Sequence, residues 1–174
     1  MNAAPTPSAT PSVREPIDAG VAIGHVHLKV ADLDRALGFY VGVLGFELQQ
    51  RLGAHAAFVS AGGYHHHIGL NTWESRGGTP PPRGHTGLFH TAIRYPDRKT
   101  LGDALRRLVD AGIPLEGATD HGVSEAIYLQ DPDGNGIELY RDRPIENWPR
   151  PNAGEGVEMF SHPLDLGALL AEAE

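Results

Sequence analysis

Histidine stands at positions 25 and 27 of the stretch "IGHVHLKV", which otherwise alternates like a strand, with Val26, Leu28 and Val30 on one face and His25, His27 and Lys29 on the other. A second alternating stretch, "GLFHTAIRY", carries His90 between Phe89 and Thr91, and a third, "GIELYRD", carries Glu138 between Ile137 and Leu139. If Val26, Leu28 and Val30, then Phe89, Thr91 and Ile93, then Ile137 and Leu139 pack on the helices, the two imidazoles and the carboxylate point the other way. Two imidazoles and one carboxylate on one side of a cation form a facial triad suited to Fe(II) or Mn(II), leaving positions free for substrate and oxygen. Structural zinc wants four protein ligands, so a three-ligand set reads as an open, reactive site. Buried without a partner, these groups would instead be costly. Eight of the ten histidines fall between His25 and His90, a concentration that scattered surface residues would not give.

The elements that must position these residues recur in one order. After the first strand, "ADLDRALGFYVGVL" has helical spacing in Leu33, Ala36, Leu37, Tyr40 and Leu44, with Asp32 at the N-cap and Gly45 past the end. Three strand-like pieces follow, "FELQQRL", "HAAFVSA" and "YHHHIGLNTW", with Gly62-Gly63 as a turn. The second half repeats the order. "GLFHTAIRY" is a strand, "DRKTLGDALRRLVDAG" a helix, and "IPLEG", "EAIYLQD" and "GIELYRD" are strands, the last two joined by "DPDGNG". The pattern is thus βαβββ twice, over residues 22–76 and 86–142, with a linker at 77–85, and His25 and His90 hold equivalent places. This predicts an α+β fold whose two modules form a half-open barrel, or cup, around a central metal site, with the helices outside. Whether the cup closes within one chain or is swapped between two is left open.

Residues 1–20, rich in Pro, Ala and Ser, read as a disordered tail without a secretion signal, and no stretch is long enough to span a bilayer. Residues 143–174 form an extension whose end, "LDLGALLAEAE", has short-helix spacing; it reads as a lid, a dimer contact or a helix docked outside. A formal charge of −8 argues against nucleic acid and anionic membranes as partners. The absence of cysteine removes disulfides and thiolate chemistry and is compatible with the cytoplasm.

His25 in "IGHVHLKVADLDRALGFYVGVLGF", His90 in "GLFHTAIRYPD" and Glu138 in "YLQDPDGNGIELYRDRP" resemble the vicinal-oxygen-chelate superfamily of glyoxalase I, bleomycin- and fosfomycin-resistance proteins and extradiol dioxygenases. "AGGYHHHIGLNTW", "HGVSEAIYLQDPDGNGIELY" and "WPRPNAGEGVEMFSHPLDLGALL" are most similar to small catechol-2,3-dioxygenase-like proteins. The resemblance implies His25, His90 and Glu138 as ligands of Fe(II), with Mn(II) an alternative. Where glyoxalase I places a fourth, carboxylate ligand, this chain has Gly69, which favours a site open to a chelating substrate and O₂.

The same resemblance implies an acid–base histidine from the triplet His65, His66 and His67. With Ile68 and Leu70 facing the helix, His67 is favoured, His65 is second, and a bulge would promote His66. Tyr128, ten residues before Glu138, and His121 in "DHGVSEA" would donate hydrogen bonds to substrate. The implied reaction is metal-dependent extradiol cleavage of a catechol-type aromatic with O₂, in a homo-oligomer, a dimer above all. A glyoxalase-type isomerase, a thiol transferase and a drug-binding resistance module are the competing readings. Extradiol enzymes of this kind are usually about twice as long, with two pairs of modules, so pieces of the pocket come from elsewhere or are missing.

Overall fold

In the computed structural model, residues 16–82, 84–151 and 156–173 are described. Most of the expected tail, residues 1–15, lies outside the described residues. The first module runs β1 (Val26–Lys29), α1 (Leu33–Leu37), β2 (Glu47–Leu52), β3 (Ala56–Ser60) and β4 (Ile68–Asn71). The second runs β5 (Thr91–Arg94), α2 (Arg98–Asp110), β6 (Leu115–Asp120), β7 (Ser124–Gln130) and β8 (Gly136–Asp142). A two-residue β9 (His162–Pro163) and α3 (Leu166–Ala171) follow. The sheets are ordered β1-β4-β3-β2 and β5-β8-β7-β6-β9, each mixed, with β1 parallel to β4 and β5 parallel to β8. The fold is α+β and the sheets stay open rather than closing into a barrel. Among the described residues no helix is long and apolar enough to cross a membrane.

Both helices start where a side chain can satisfy their free N–H groups. Asp32 accepts from the Arg35 N–H, and Asp97 accepts from the Thr100 N–H while the Thr100 hydroxyl accepts from the Asp97 N–H. The first helix departs from the single α-helix expected: from Gly38 to Val43 it widens into a π-helix, and the Leu44 N–H reaches back to the Phe39 carbonyl at 2.9 Å. The wider turn lets the adjacent Phe39 and Tyr40 both bury. Gly45 then takes φ +84°, the left-handed conformation open to glycine at a helix end.

The aliphatic faces read from alternation are buried, although β4 and most of β7 are buried on both faces. Leu28 and Val30, Ile68 and Leu70, Ile127 and Leu129, and Ile137 and Leu139 are all buried. They join Leu33, Ala36, Leu101, Leu105, Leu108 and Leu169 in one apolar cluster, so the two modules share a core. Phe89 is a correction. Expected to pack on a helix, it is 88% exposed, because pairing in β5 begins only at Thr91. The helix α3 docks on α2, with Leu169 fully buried and its carbonyl seated over Gly102.

The "DPDGNG" turn between β7 and β8 joins the modules. Asp131 accepts from the Asp133 and Asn135 N–H groups within its own turn and from the Tyr40 hydroxyl at 3.0 Å. Asp133 accepts from the Ala31 N–H at 2.9 Å and from Arg35 at 2.6 Å. Burial, and then the Asp131 carboxylate, raises the pKa of the Tyr40 phenol, which therefore remains a donor. Replacing Tyr40 with Phe leaves a buried carboxylate oxygen short of a partner. A loss of about 1.5–3 kcal/mol is expected, read in urea as a lower midpoint at unchanged slope.

Ala31, just past the end of β1, touches the loop that enters β8, whereas His25 stands at the far end of β1. Six residues of extended chain span about 20 Å.

Candidate metal centre

Four of the residues singled out in the sequence meet on the second sheet. Tyr128 in β7 lies directly opposite Glu138 in β8, a register fixed by the hairpin between them. His90 enters from the residue before β5. Its Nε2 lies 2.9 Å from Glu138 Oε2, with side-chain exposures of 31% and 14%. The Tyr128 hydroxyl lies 3.2 Å from Glu138 Oε1, and His121 Nε2 lies 2.8 Å from the same hydroxyl. Burial and then the neighbouring carboxylate push the Tyr128 phenol up to about 12, so it keeps its proton at neutral pH.

The close approach of His90 depends on a missing side chain. Thr91 pairs with Ile137, which puts Gly136 beside the entry to β5. A Cβ on Gly136 would collide with the Phe89 carbonyl and lie 3.1 Å from the His90 Cβ.

A second histidine cluster occupies the first sheet. The His25 ring lies 4.4 Å from that of His66, which also packs on Phe58 at 5.0 Å. His65 and His66 bring their Nδ1 atoms within 2.7 Å. His27 packs between Phe58 and Trp73 and over Gly69, where a Cβ would stand 2.9 Å from its ring. Burial, and then His25, lowers the pKa of both His27 and His66.

The three residues of the triplet differ in their surroundings, and His67 lines the cavity that also holds His25 and His90. Residues 65–67 precede β4, which starts at Ile68, so strand alternation does not govern them. His67 is stitched into the sheet by its backbone, and its Nδ1 accepts from the Ala61 N–H at 3.3 Å. The ring nearest His25 is that of His66.

Among the described residues, no group of three or more His, Cys, Asp or Glu side chains is placed to hold a metal ion. One chain therefore pairs His90 with Glu138 and leaves His25 with the other histidines. His25 and His90 line one cavity, together with His67, but the three expected ligands do not converge on one point. The pair itself fits a divalent ion. Adjacent ligands about 2.1 Å from a shared centre stand roughly 3 Å apart, close to the 2.9 Å between His90 and Glu138. One contact had no signal in the sequence. The main-chain carbonyl of Phe160 lies 3.0 Å from His121 Nδ1, and no side-chain pattern marks a carbonyl.

Two βαβββ modules in sequence, each with its first strand parallel to its last, define the class of fold. The chain belongs to the Glyoxalase/Bleomycin resistance protein/Dioxygenase superfamily, whose family model matches residues 22–139. It is 43% identical over 152 residues to a catechol-2,3-dioxygenase of Bacillus subtilis, covering 87% of this chain and 52% of that one. It is 33% identical over 122 residues to biphenyl-2,3-diol 1,2-dioxygenase 3 of Rhodococcus globerulus, covering 69% of this chain and 63% of that one. The chain thus spans about half the length of the first of these relatives and under two thirds of the second. A probable lactoylglutathione lyase of Synechocystis is 28% identical over 120 residues, covering 66% of this chain and 91% of that one. Among solved structures, a lactoylglutathione lyase from Agrobacterium tumefaciens superposes with a TM-score of 0.56 at 25% identity, covering 71% of this chain and 96% of that one.

Proposed function

We propose that this chain is an extradiol ring-cleaving dioxygenase that acts on a catechol-type aromatic with O₂, using Fe(II) or Mn(II), as a dimer of identical chains. The observation that carries the reading is the run His90–Glu138–Tyr128–His121, two ligand-type groups backed by two hydrogen-bonding groups on one sheet. The likeness to the catechol- and biphenyldiol-cleaving relatives supports the substrate class. His90 and Glu138 would hold the ion together with His25 of a second copy. The separation of His25 from the other two within one chain supports this division. When bound, the ion supplies the Lewis acidity that lowers a catechol hydroxyl's pKa.

The remaining roles belong to side chains. His66, the triplet member against His25, takes the released phenolic proton and returns one later. Tyr128, protonated at neutral pH, rests with its hydroxyl against His121 and turns its proton to a substrate oxygen as charge builds there. Phe58 and Trp73 hold the His27 ring between them, behind the His25 cluster.

An isomerase reading draws on the lactoylglutathione lyase relative, which this chain nearly spans. Against it stands Gly69: any side chain there, a ligating carboxylate included, would strike the His27 ring. Anaerobic reconstitution with Fe(II) or Mn(II), followed by oxygen uptake against a panel of catechols, separates the readings. One O₂ consumed per catechol with a yellow ring-opened product is expected. Thiol-dependent turnover without oxygen would establish the isomerase or transferase instead, and indifference to added metal would leave a binding module. In the same assay His66→Ala is expected to lose about 100-fold or more in kcat, and His67→Ala less than about 10-fold.

A further inference from the structure

The stretch from Gly156 to Pro163 crosses the loop that carries His121. It is tied down at both ends. The Glu158 N–H donates to the Pro149 carbonyl, and β9 pairs with β6 through Thr119–Pro163 and Asp120–His162. Between these anchors the strap grips His121 twice. The Phe160 N–H donates to the His121 carbonyl at 3.3 Å, and the Phe160 carbonyl lies 3.0 Å from His121 Nδ1. The Phe160 ring rests on Gly122, where φ is +78° and an added Cβ would stand 2.6 Å from the ring. Gly122 is therefore both the residue that turns the loop and the gap into which the strap fits.

The chemistry of these partners fixes a proton. A carbonyl oxygen only accepts, so His121 Nδ1 must carry hydrogen. In the neutral ring, Nε2 is then a bare acceptor. The one hydrogen of the Tyr128 hydroxyl has two takers, His121 Nε2 at 2.8 Å and Glu138 Oε1 at 3.2 Å. Held in this tautomer, His121 takes it. We propose that the C-terminal strap is a positioning element: the Phe160 carbonyl holds His121 as its Nδ1–H tautomer, so that Tyr128 donates to His121 and leaves both oxygens of Glu138 for a divalent ion. The inference deepens the dioxygenase reading, on which the role of Glu138 rests. Ser161 is the competing partner, with its hydroxyl 3.5 Å from the same Nδ1. At that distance it is too far to set the tautomer.

The test uses the full-length, metal-free protein, so its outcome is independent of ring cleavage. Nitrogen-15 NMR of the His121 ring above its titration range is expected to show hydrogen on Nδ1 in the wild type. Phe160→Ala, which frees the strap from Gly122, is expected to shift most of the ring population to Nε2–H, and Phe160→Leu to restore the wild-type pattern. Ser161→Ala, at an exposed position, is expected to change nothing. Fe(II) affinity should fall about 10-fold in Phe160→Ala and recover in Phe160→Leu. Hydrogen on Nε2 in the wild type, or a tautomer reversed by Ser161→Ala alone, would overturn the proposal. The expected NMR pattern without ring cleavage by the wild type itself would strike the dioxygenase reading and leave this one standing.

Discussion

His25→Ala chains and Glu138→Ala chains, each inactive alone, regain about a quarter of wild-type turnover when unfolded and refolded as an equal mixture. The figure follows from a two-fold dimer in which every site takes His25 from one chain and His90 and Glu138 from the other. A mixed dimer places both lesions in one site and leaves its second site whole. By chance about half the dimers are mixed, and each then has one of two sites intact. Alone, either variant should lose more than about 100-fold, since even the outer partners of metal ligands cost 10–100-fold on removal. Oxygen uptake before and after mixing reads both values. A site built within one chain gives no recovery at any ratio, and that result would sink the shared-site arrangement. The contact of His90 with Glu138, and of His25 with His66, is what makes the two lesions separable.

Gly136→Ala damages both fold and site, because its methyl meets the chain entering β5 and stands against the His90 Cβ. The new methyl meets the Phe89 carbonyl, which is backbone at the mouth of a paired strand. No side-chain rotation relieves that contact, so the entry to β5 must move and carry His90 with it. Overpacking of this kind costs about 1–3 kcal/mol. A displacement of about 1 Å between His90 and Glu138 is expected to lower kcat about 100-fold. Gly42→Ala is the control. Its position in the π-helix has open space around it and an ordinary backbone conformation. It should retain wild-type turnover and gain slightly in melting temperature. Wild-type melting and turnover in Gly136→Ala would refute the account of how β5 is set.

Much of this architecture was legible in the residues, for reasons that particular positions make clear. Leu28, Ile137 and Leu139 lie in regular paired strands, where a two-residue period decides which face is apolar. Tyr128 faces Glu138 because a tight turn between antiparallel strands leaves one register. Periodicity fails where pairing stops. Phe89 stands one residue too early to belong to β5, and His65–His67 stand before β4. The π-helix from Gly38 escapes a search for 3.6-residue spacing, because its apolar residues Phe39 and Tyr40 are adjacent. The grip of Phe160 on His121 runs through a main-chain atom, which every residue possesses. Face-by-face reading also could not tell which sheets meet which, since alternation gives the direction of a side chain and not its distance from another strand.

The acidic turn that ends β7 has a mechanical meaning. Asp133 holds the entrance of the first helix, and β8 begins three residues further along the same chain. One carboxylate thus bolts the start of the first helix to the hinge of the hairpin that presents Glu138, and the two halves meet there through polar bonds as well as through the shared apolar core.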